Sequence, residues 1–517
     1  MTGILEWLES SVAWLFEWLD SSVAWLDGII WSNALIILCL GAGLLFSILT
    51  RFSQVRHLKE MVKLMFAGKS SKEGISSFQA LSLALSGRVG TGNIAGVATA
   101  IAYGGPGAVF WMWIIAFLGA GSAFVESTLS QIYKTKLDGQ YRGGPAFYIE
   151  KGLNIKWYAI LFAIVTVIAT GLLLPGVQAN SIGSSMEEAF NITPLWTGLI
   201  LIFILGIIIL GGIKRIANTA MVVVPFMAVA YILIALVIVG INYAQIPEVF
   251  MLIINSAFGV DATFGGILGS AIAWGVRRGI YSNEAGQGTA PHASAAARVT
   301  HPVKQGLVQS FSVYIDTLFI CSATAFMILI TGMYNVTPDG QEALVMNAGA
   351  VEAGPAYTQQ AVESALPGFG APFVAIALLF FAFTTIMAYY YMAETNLAYI
   401  MSKKRKKWLE FVLKIGILAA VLYGCIREAD LAWALGDIGV GSMAWLNLIA
   451  ILLLMKPALK ALRDYEQQKR AGLDPIFNPE KLGIKNATFW TTDFMEDEKE
   501  AILVAEKKAS SNDISSY

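Results

Sequence analysis

The stretch Leu85-Ser86-Gly87-Arg88-Val89-Gly90-Thr91-Gly92-Asn93-Ile94-Ala95-Gly96, followed by Gly104-Gly105, sits inside a segment that otherwise reads as a membrane-spanning helix. A second interrupted stretch, Trp274-Gly275-Val276-Arg277-Arg278-Gly279-Ile280-Tyr281-Ser282-Asn283-Glu284-Ala285-Gly286-Gln287-Gly288, opens a later hydrophobic block. Lipid offers no hydrogen-bond partners, so a broken backbone at membrane depth must be buried in protein or line a wet cavity. Two such breaks at matching places in two halves of a chain point to a transporter's binding site.

The surrounding composition agrees. The chain has 517 residues, 56% hydrophobic and 14% charged, well below the roughly 25% charged content of soluble domains. It reads as an all-α polytopic membrane protein whose partners include membrane lipid and exclude nucleic acid. Cys39, Cys321 and Cys425 have no regular spacing, which argues against a disulfide framework or a zinc site.

A span needs about 20 apolar residues. On that rule the sequence predicts eleven: 31–50, 79–102, 107–132, 156–178, 195–212, 217–240, 263–281, 306–332, 371–400, 409–424 and 431–456. Arg51, Arg56, Lys59, Lys63, Lys69 and Lys72 follow the first, and Lys403-Lys404-Arg405-Lys406-Lys407 the ninth. These loops are expected in the cytoplasm. Residues 1–30, 241–262 and 333–370 carry acids but no Lys or Arg, so the N-terminus is expected outside and the C-terminus inside a plasma membrane (the inner membrane of a cell with two).

Three regions are expected: an extracytoplasmic N-terminal segment 1–30, a transporter domain 31–456 and a cytoplasmic tail 457–517, partly helical and then disordered. Within the domain, 31–50 is an extra span, and 79–240 and 263–456 form two repeats of opposite orientation. The N-terminal segment repeats itself, Glu6 to Phe16 and Glu17 to Asp27. Its 11-residue period spans about three helical turns and predicts an amphipathic interfacial helix.

The first break has a definite chemistry. Its inner half-helix ends in unpaired carbonyls and its outer half begins with free N–H groups. Ser86 and Val89 carbonyls suit Na⁺, while the Thr91, Gly92 and Asn93 amides suit an amino acid's carboxylate. The second break, expected around Tyr281 to Gly286, can offer carbonyls to the ammonium group, and Asn283 lies in it. Gly92 and Gly96 also make a GxxxG step, whose ordinary use is close helix packing. Packing is the expected role of Gly96.

Gly92-Asn93-Ile94-Ala95-Gly96-Val97-Ala98, Gly104-Gly105-Pro106-Gly107-Ala108-Val109-Phe110-Trp111-Met112-Trp113, Gly143-Gly144-Pro145-Ala146-Phe147-Tyr148, Gln178-Ala179-Asn180-Ser181 and Arg278-Gly279-Ile280-Tyr281-Ser282-Asn283-Glu284-Ala285-Gly286 together resemble the alanine or glycine:cation symporter family. The resemblance covers about residues 28–456. It implies a LeuT-type five-plus-five inverted repeat with one extra N-terminal span, and Na⁺-coupled import of a small neutral amino acid, alanine or glycine first. Na⁺ is then the coupling ion and no cofactor is implied. The resemblance also implies that Thr384 and Thr385 complete the sodium site, that Gln178 contacts substrate, and that Tyr281 and Tyr389 wall the pocket.

Arg88 stands where many members similar to the alanine carriers have a small residue. Glutamine carriers share the Ser-Arg-Val-Gly sequence, so a glutamine preference is the alternative. A midplane arginine needs a partner, and Asp316, halfway along its span, is the expected one. Glu126 and Glu394, nearer cytoplasmic ends, are expected at the inner gate. More distant alternatives are a channel, which needs a continuous charged or carbonyl-lined pore, and a membrane enzyme. His57, His292 and His301 are the only histidines, and no HExxH or Ser/His/Asp set supports catalysis.

Overall fold

The computed structural model describes residues 20–68, 70–71, 73–401, 406–427 and 429–496. The first copy of the N-terminal repeat, the first three residues of the second, residues 402–405 and the tail beyond 496 lie outside these residues.

Helices carry the fold. They are α1 (Asn33–Leu49), α2 (Ser77–Arg88), α3 (Val97–Gly104), α4 (Gly107–Ile132), α5 (Lys156–Phe190), α6 (Pro194–Ile209), α7 (Gly212–Ile241), α8 (Ile246–Ala257), α9 (Leu268–Asn283), α10 (Ala290–Ala296), α11 (Pro302–Thr331), α12 (Pro355–Ala365), α13 (Gly370–Ile400), α14 (Lys407–Ile426) and α15 (Ala429–Arg470). Residues 20–30 form a further helix that leads into α1. Eight helices are long and apolar enough to cross a membrane among the described residues, against eleven expected. The other three expected spans are the short α6, of 16 residues, and the two interrupted pairs α2–α3 and α9–α10.

Each interruption has a local cause. The capping box of Ser76 and Gln79 starts α2, which stops at Arg88. Gly90 N then turns to Asn93 Oδ1, at 2.8 Å, instead of the Ser86 carbonyl that helical continuation would require. The chain re-enters helix through a π turn over Gly92–Gly96. The second break falls later than the sequence suggests: α9 continues through Tyr281 to Asn283, and the irregular residues are 284–289. Glu284, Gly286 and Gly288 take φ of +54°, +85° and +84°, a left-handed run that glycine makes affordable. Tyr281, Ser282 and Asn283 are therefore helical residues leading into the break.

Close contacts pack the broken helices. A Cβ on Gly92 would lie 3.1 Å from Ser282 Cα, whereas one on Gly96 would meet nothing closer than 3.8 Å. Gly92 is the tight packing glycine and Gly96 is not, contrary to the sequence expectation.

The tail is more ordered than expected. The last helix, α15, runs to Arg470, and residues 471–496 fold back on the face that carries the β-hairpin Thr135–Leu137/Gln140–Arg142. Phe477 N donates to Thr300 O (3.0 Å) and Trp490 Nε1 to Gln131 O (3.0 Å). The Lys134 ammonium lies 4.7, 4.5 and 5.2 Å from the rings of Tyr141, Phe489 and Trp490.

Candidate functional site

The end of α2 meets α13 at one hydroxyl. Thr385 Oγ1 lies 2.8 Å from Ser86 O, 3.3 Å from Val89 O and 3.0 Å from Phe381 O. One hydroxyl proton satisfies one acceptor, and Phe381 O also accepts from Thr384 Oγ1, so the Ser86 and Val89 carbonyls compete for the Thr385 donor. This cluster of oxygens is electronegative. Thr384, the other expected sodium ligand, donates to Phe381 O at 2.9 Å, within its own helix. Of the hydroxyl pair, Thr385 alone is hydrogen-bonded to the break.

Beside it, Thr91 N donates to Gln178 Oε1 at 2.9 Å. Gln178 thus touches the break itself, its carboxamide oxygen standing where a carboxylate oxygen would accept. A Cβ on Gly90 would fall 2.5 Å from Thr385 Oγ1 and 2.8 Å from Gln178 Oε1. Gly90 lets both side chains reach one point, the cation pole on one side and the amide pole on the other.

Asn93 acts as a brace. Its Oδ1 accepts from Gly90, its Nδ2 donates to Asp316 Oδ1 at 2.6 Å, and its main-chain N donates to Gly90 O at 3.2 Å. The Asp316 carboxylate also accepts from Ser282 Oγ (2.9 Å) and Thr317 Oγ1 (2.8 Å). Asp316 therefore ties the first broken helix to the second. It does not pair with Arg88, as the sequence reading expected: the Arg88 guanidinium donates to Gln309 O at 3.1 Å and to Ser312 Oγ, and its Nε and Nη2 have no hydrogen-bond partner. The Asn93 and Ser282 donors already occupy the Asp316 oxygens.

The second break is stitched by side chains. Glu126 accepts from Gly286 N (3.3 Å), Gly288 N (3.2 Å) and Asn447 Nδ2 (2.7 Å). Asn447 Nδ2 also donates to Gly286 O (2.8 Å), and Gln287 Nε2 to Ile280 O (2.6 Å). Of the carbonyls of this break, that of Gly286 is thus already engaged by Asn447. Glu126 braces the break, while Glu394 pairs with Arg142 of the hairpin at 2.6 Å. Asn283 Oδ1 caps the turn by accepting from Ala285 N at 3.0 Å.

Tyr281 packs against Gly92, 3.1 Å from the place of its Cβ, with its ring 5.1 Å from that of Trp433. Above it, Arg278 lies 4.6 Å from the Trp433 ring and donates to Asp437 at 2.7 Å. Arg277 bonds Asp437 (2.6 Å) and Asp27 (2.7 Å), so the second repeat copy ends in an ion-pair network and not only at a membrane surface. Sequence reading gave these two arginines no partners. Tyr389 lies next to Glu284. Ser86, Thr91, Gln178, Tyr281, Thr385 and Tyr389 are all buried, so the site is closed to both faces.

Two helices broken at the same buried polar junction, within a bundle of apolar spans, define a multi-pass membrane transporter. In fold, the chain is similar to a manganese transporter of Eremococcus coleocola solved with an aromatic bis-isothiourea substituted compound: TM-score 0.50, 15% identity, covering 81% of this chain and 94% of that one. The family follows from sequence. The model of the sodium:alanine symporter family matches residues 16–479, and the chain belongs to that family, one of transporters and not enzymes. It is 65% identical over 469 residues to YrbD of Bacillus subtilis (strain 168), covering 91% of this chain and 97% of the relative. It is 54% identical over 431 residues to the sodium/proton-dependent alanine carrier protein of Bacillus sp. (strain PS3), covering 83% and 97%.

Proposed function

We propose that the chain imports a small neutral amino acid, alanine first, together with Na⁺, by alternating access. The convergence of Ser86, Val89 and Phe381 carbonyls on the Thr385 hydroxyl carries this reading. It is a neutral hard-oxygen cluster that suits a small alkali cation, one residue from an amide, Thr91 N, that suits a carboxylate. Val89 and Ser86 supply carbonyls, Thr385 the hydroxyl, and Thr384 its own hydroxyl if the helix yields its internal bond. The substrate's carboxylate displaces Gln178 Oε1 from Thr91 N and takes up the Gly92 amide. Gln178 then turns its carboxamide to the substrate, with Tyr281 and Tyr389 as walls; Asn93 and Asn283 shape the site through the main chain. The names of relatives, an alanine carrier among them, favour alanine over glutamine.

The architecture proposed is a LeuT-type inverted repeat. Eleven crossings result if α6 and the pairs α2–α3 and α9–α10 each cross with the eight long helices: one extra span, then α2–α7 and α9–α15 as the two halves. The loop charges favour an outside N-terminus and an inside C-terminus in the plasma membrane.

The driving force suffices. One charge through ~100 mV is worth about 2.3 kcal/mol, and a tenfold Na⁺ gradient adds about 1.4 kcal/mol. Together they support accumulation of several hundredfold. Proteoliposome uptake of labelled alanine, with glycine, serine and glutamine as competitors and with or without Na⁺, tests the proposal. Saturable Na⁺-dependent alanine uptake is expected; uptake indifferent to Na⁺ would exclude the coupling, and stronger competition by glutamine would change the substrate.

A further inference from the structure

Three acids and one base share the buried junction: Glu126, Glu284 and Asp316 against Arg88. Glu126 is held by three N–H donors, and Asp316 by Asn93, Ser282 and Thr317. Glu284 differs. It opens the second break in a left-handed conformation, is 1% exposed, and no N–H donor reaches either carboxylate oxygen, with the hydroxyls of Thr289 and Tyr389 standing against it. Its Oε2 points at the first broken helix, 3.1 Å from where a Cβ on Gly87 would stand. The groups facing it are Arg88 on α2, Asp316 on α11, Tyr281 on α9, the Thr289 hydroxyl beyond the break and Tyr389 on α13.

A buried carboxylate that neither an N–H donor nor a cationic side chain pairs directly must be neutralised or hold a cation. Arg88 can offset one of the three acids, and the Thr385 cluster holds no formal charge of its own. We propose that Glu284 is a second cation site of the transport cycle, taking up one monovalent cation, H⁺ or Na⁺, from outside and releasing it inside with each substrate. The site touches both broken helices, so filling it joins Gly87 to the second break in the closed state. Emptying it leaves an unpaired carboxylate that favours reopening.

The inference rests on Na⁺-coupled alanine uptake and is tested separately from it. Alanine-evoked currents in proteoliposomes, nulled against known voltage, Na⁺ and pH gradients, give charges per alanine. Two are expected in the wild type and one in Glu284→Gln. If the second cation is H⁺, a pH gradient shifts the wild-type null potential and the shift vanishes in E284Q. If it is Na⁺, the Na⁺ Hill coefficient falls from near 2 to 1 with no pH effect. One charge per alanine in the wild type overturns the proposal even if E284Q does not fold, and so does an E284Q variant that keeps two. An absence of any Na⁺-dependent current would instead overturn the symport reading.

Discussion

At the scale of single residues, the site depends on what Gly90 lacks. Thr385 Oγ1 and Gln178 Oε1 occupy the space a Cβ would fill, 2.5 and 2.8 Å from it, so Gly90→Ala should abolish Na⁺-dependent uptake while leaving the protein folded in the membrane. A size-exclusion profile reports the fold and labelled alanine the activity; retained activity would show that the two side chains need not meet there. Thr385→Ala removes a hydroxyl within reach of three carbonyls. With about 1.5–3 kcal/mol for a charge-assisted bond, the half-saturating Na⁺ concentration should rise about 10- to 100-fold, measured by alanine uptake against Na⁺. The glycines of the first break and its flanking Ser86 were legible in the sequence because only a non-helical backbone needs them. That Asn93 reaches Asp316 was not: a side-chain bond across 223 positions leaves no trace in local spacing, and charge complementarity favoured Arg88 instead.

At the scale of elements, the two breaks differ in how they are satisfied. The second is sewn shut by Glu126 and Asn447, from α4 and α15, whose bonds hold its shape without substrate. Glu126→Ala leaves two glycine amides and an asparagine without their acceptor, so a loss of about 2–4 kcal/mol is expected for a buried network, read as a lowered melting temperature that alanine and Na⁺ do not restore. Restoration would mean the break is ligand-ordered. The boundaries of α4 and α13 were readable to within a residue because their apolar runs end at turn signals. The second break was misplaced because Ser282 and Asn283, poor helix formers by propensity, are held helical by Asp316 and by the cap on Ala285 N.

The tail strap is a second element the sequence undersold. Family similarity ends at residue 479, yet Phe489 and Trp490 beyond it are buried, and the signal was three aromatics, Phe489, Trp490 and Phe494, in an otherwise charged tail. Beneath it, half-buried Lys151 is pushed down to about 8 by burial, with Asp493 and Glu150 pulling the other way. A docked lysine with a lowered pKa loses its proton before the undocked one, whose value is about 10.4. Docking is therefore weakest below pH 8 and strengthens between pH 8 and 10. Limited proteolysis of residues 471–496 should slow over that range, and Lys151→Met should remove the dependence; equal cleavage rates at pH 7 and 10 in the wild type would contradict it.

At the scale of the whole molecule, polar contacts join the moving parts at three levels. Arg277 and Arg278 clasp Asp437 on the side of the N-terminal helix, Asp316 links the broken helices at the centre, and Arg142 holds Glu394 on the hairpin side. A transporter of this kind closes one level while another opens, and the closed site here has all three levels engaged together. The bundle and its spans were legible because apolar length is a local property. The closure was not, because it is made by residues from distant helices meeting only in the fold. The central claim is that one broken helix holds Na⁺ and a carboxylate as neighbours, so that each strengthens the other's binding. Equilibrium binding of labelled alanine to purified protein, with and without saturating Na⁺, tests it directly. Na⁺ should tighten alanine binding by about 5- to 150-fold in the wild type, and in Thr385→Ala only at Na⁺ concentrations about 10- to 100-fold higher; equal affinity in both salts, or coupling at unchanged Na⁺ concentration in the variant, would contradict it.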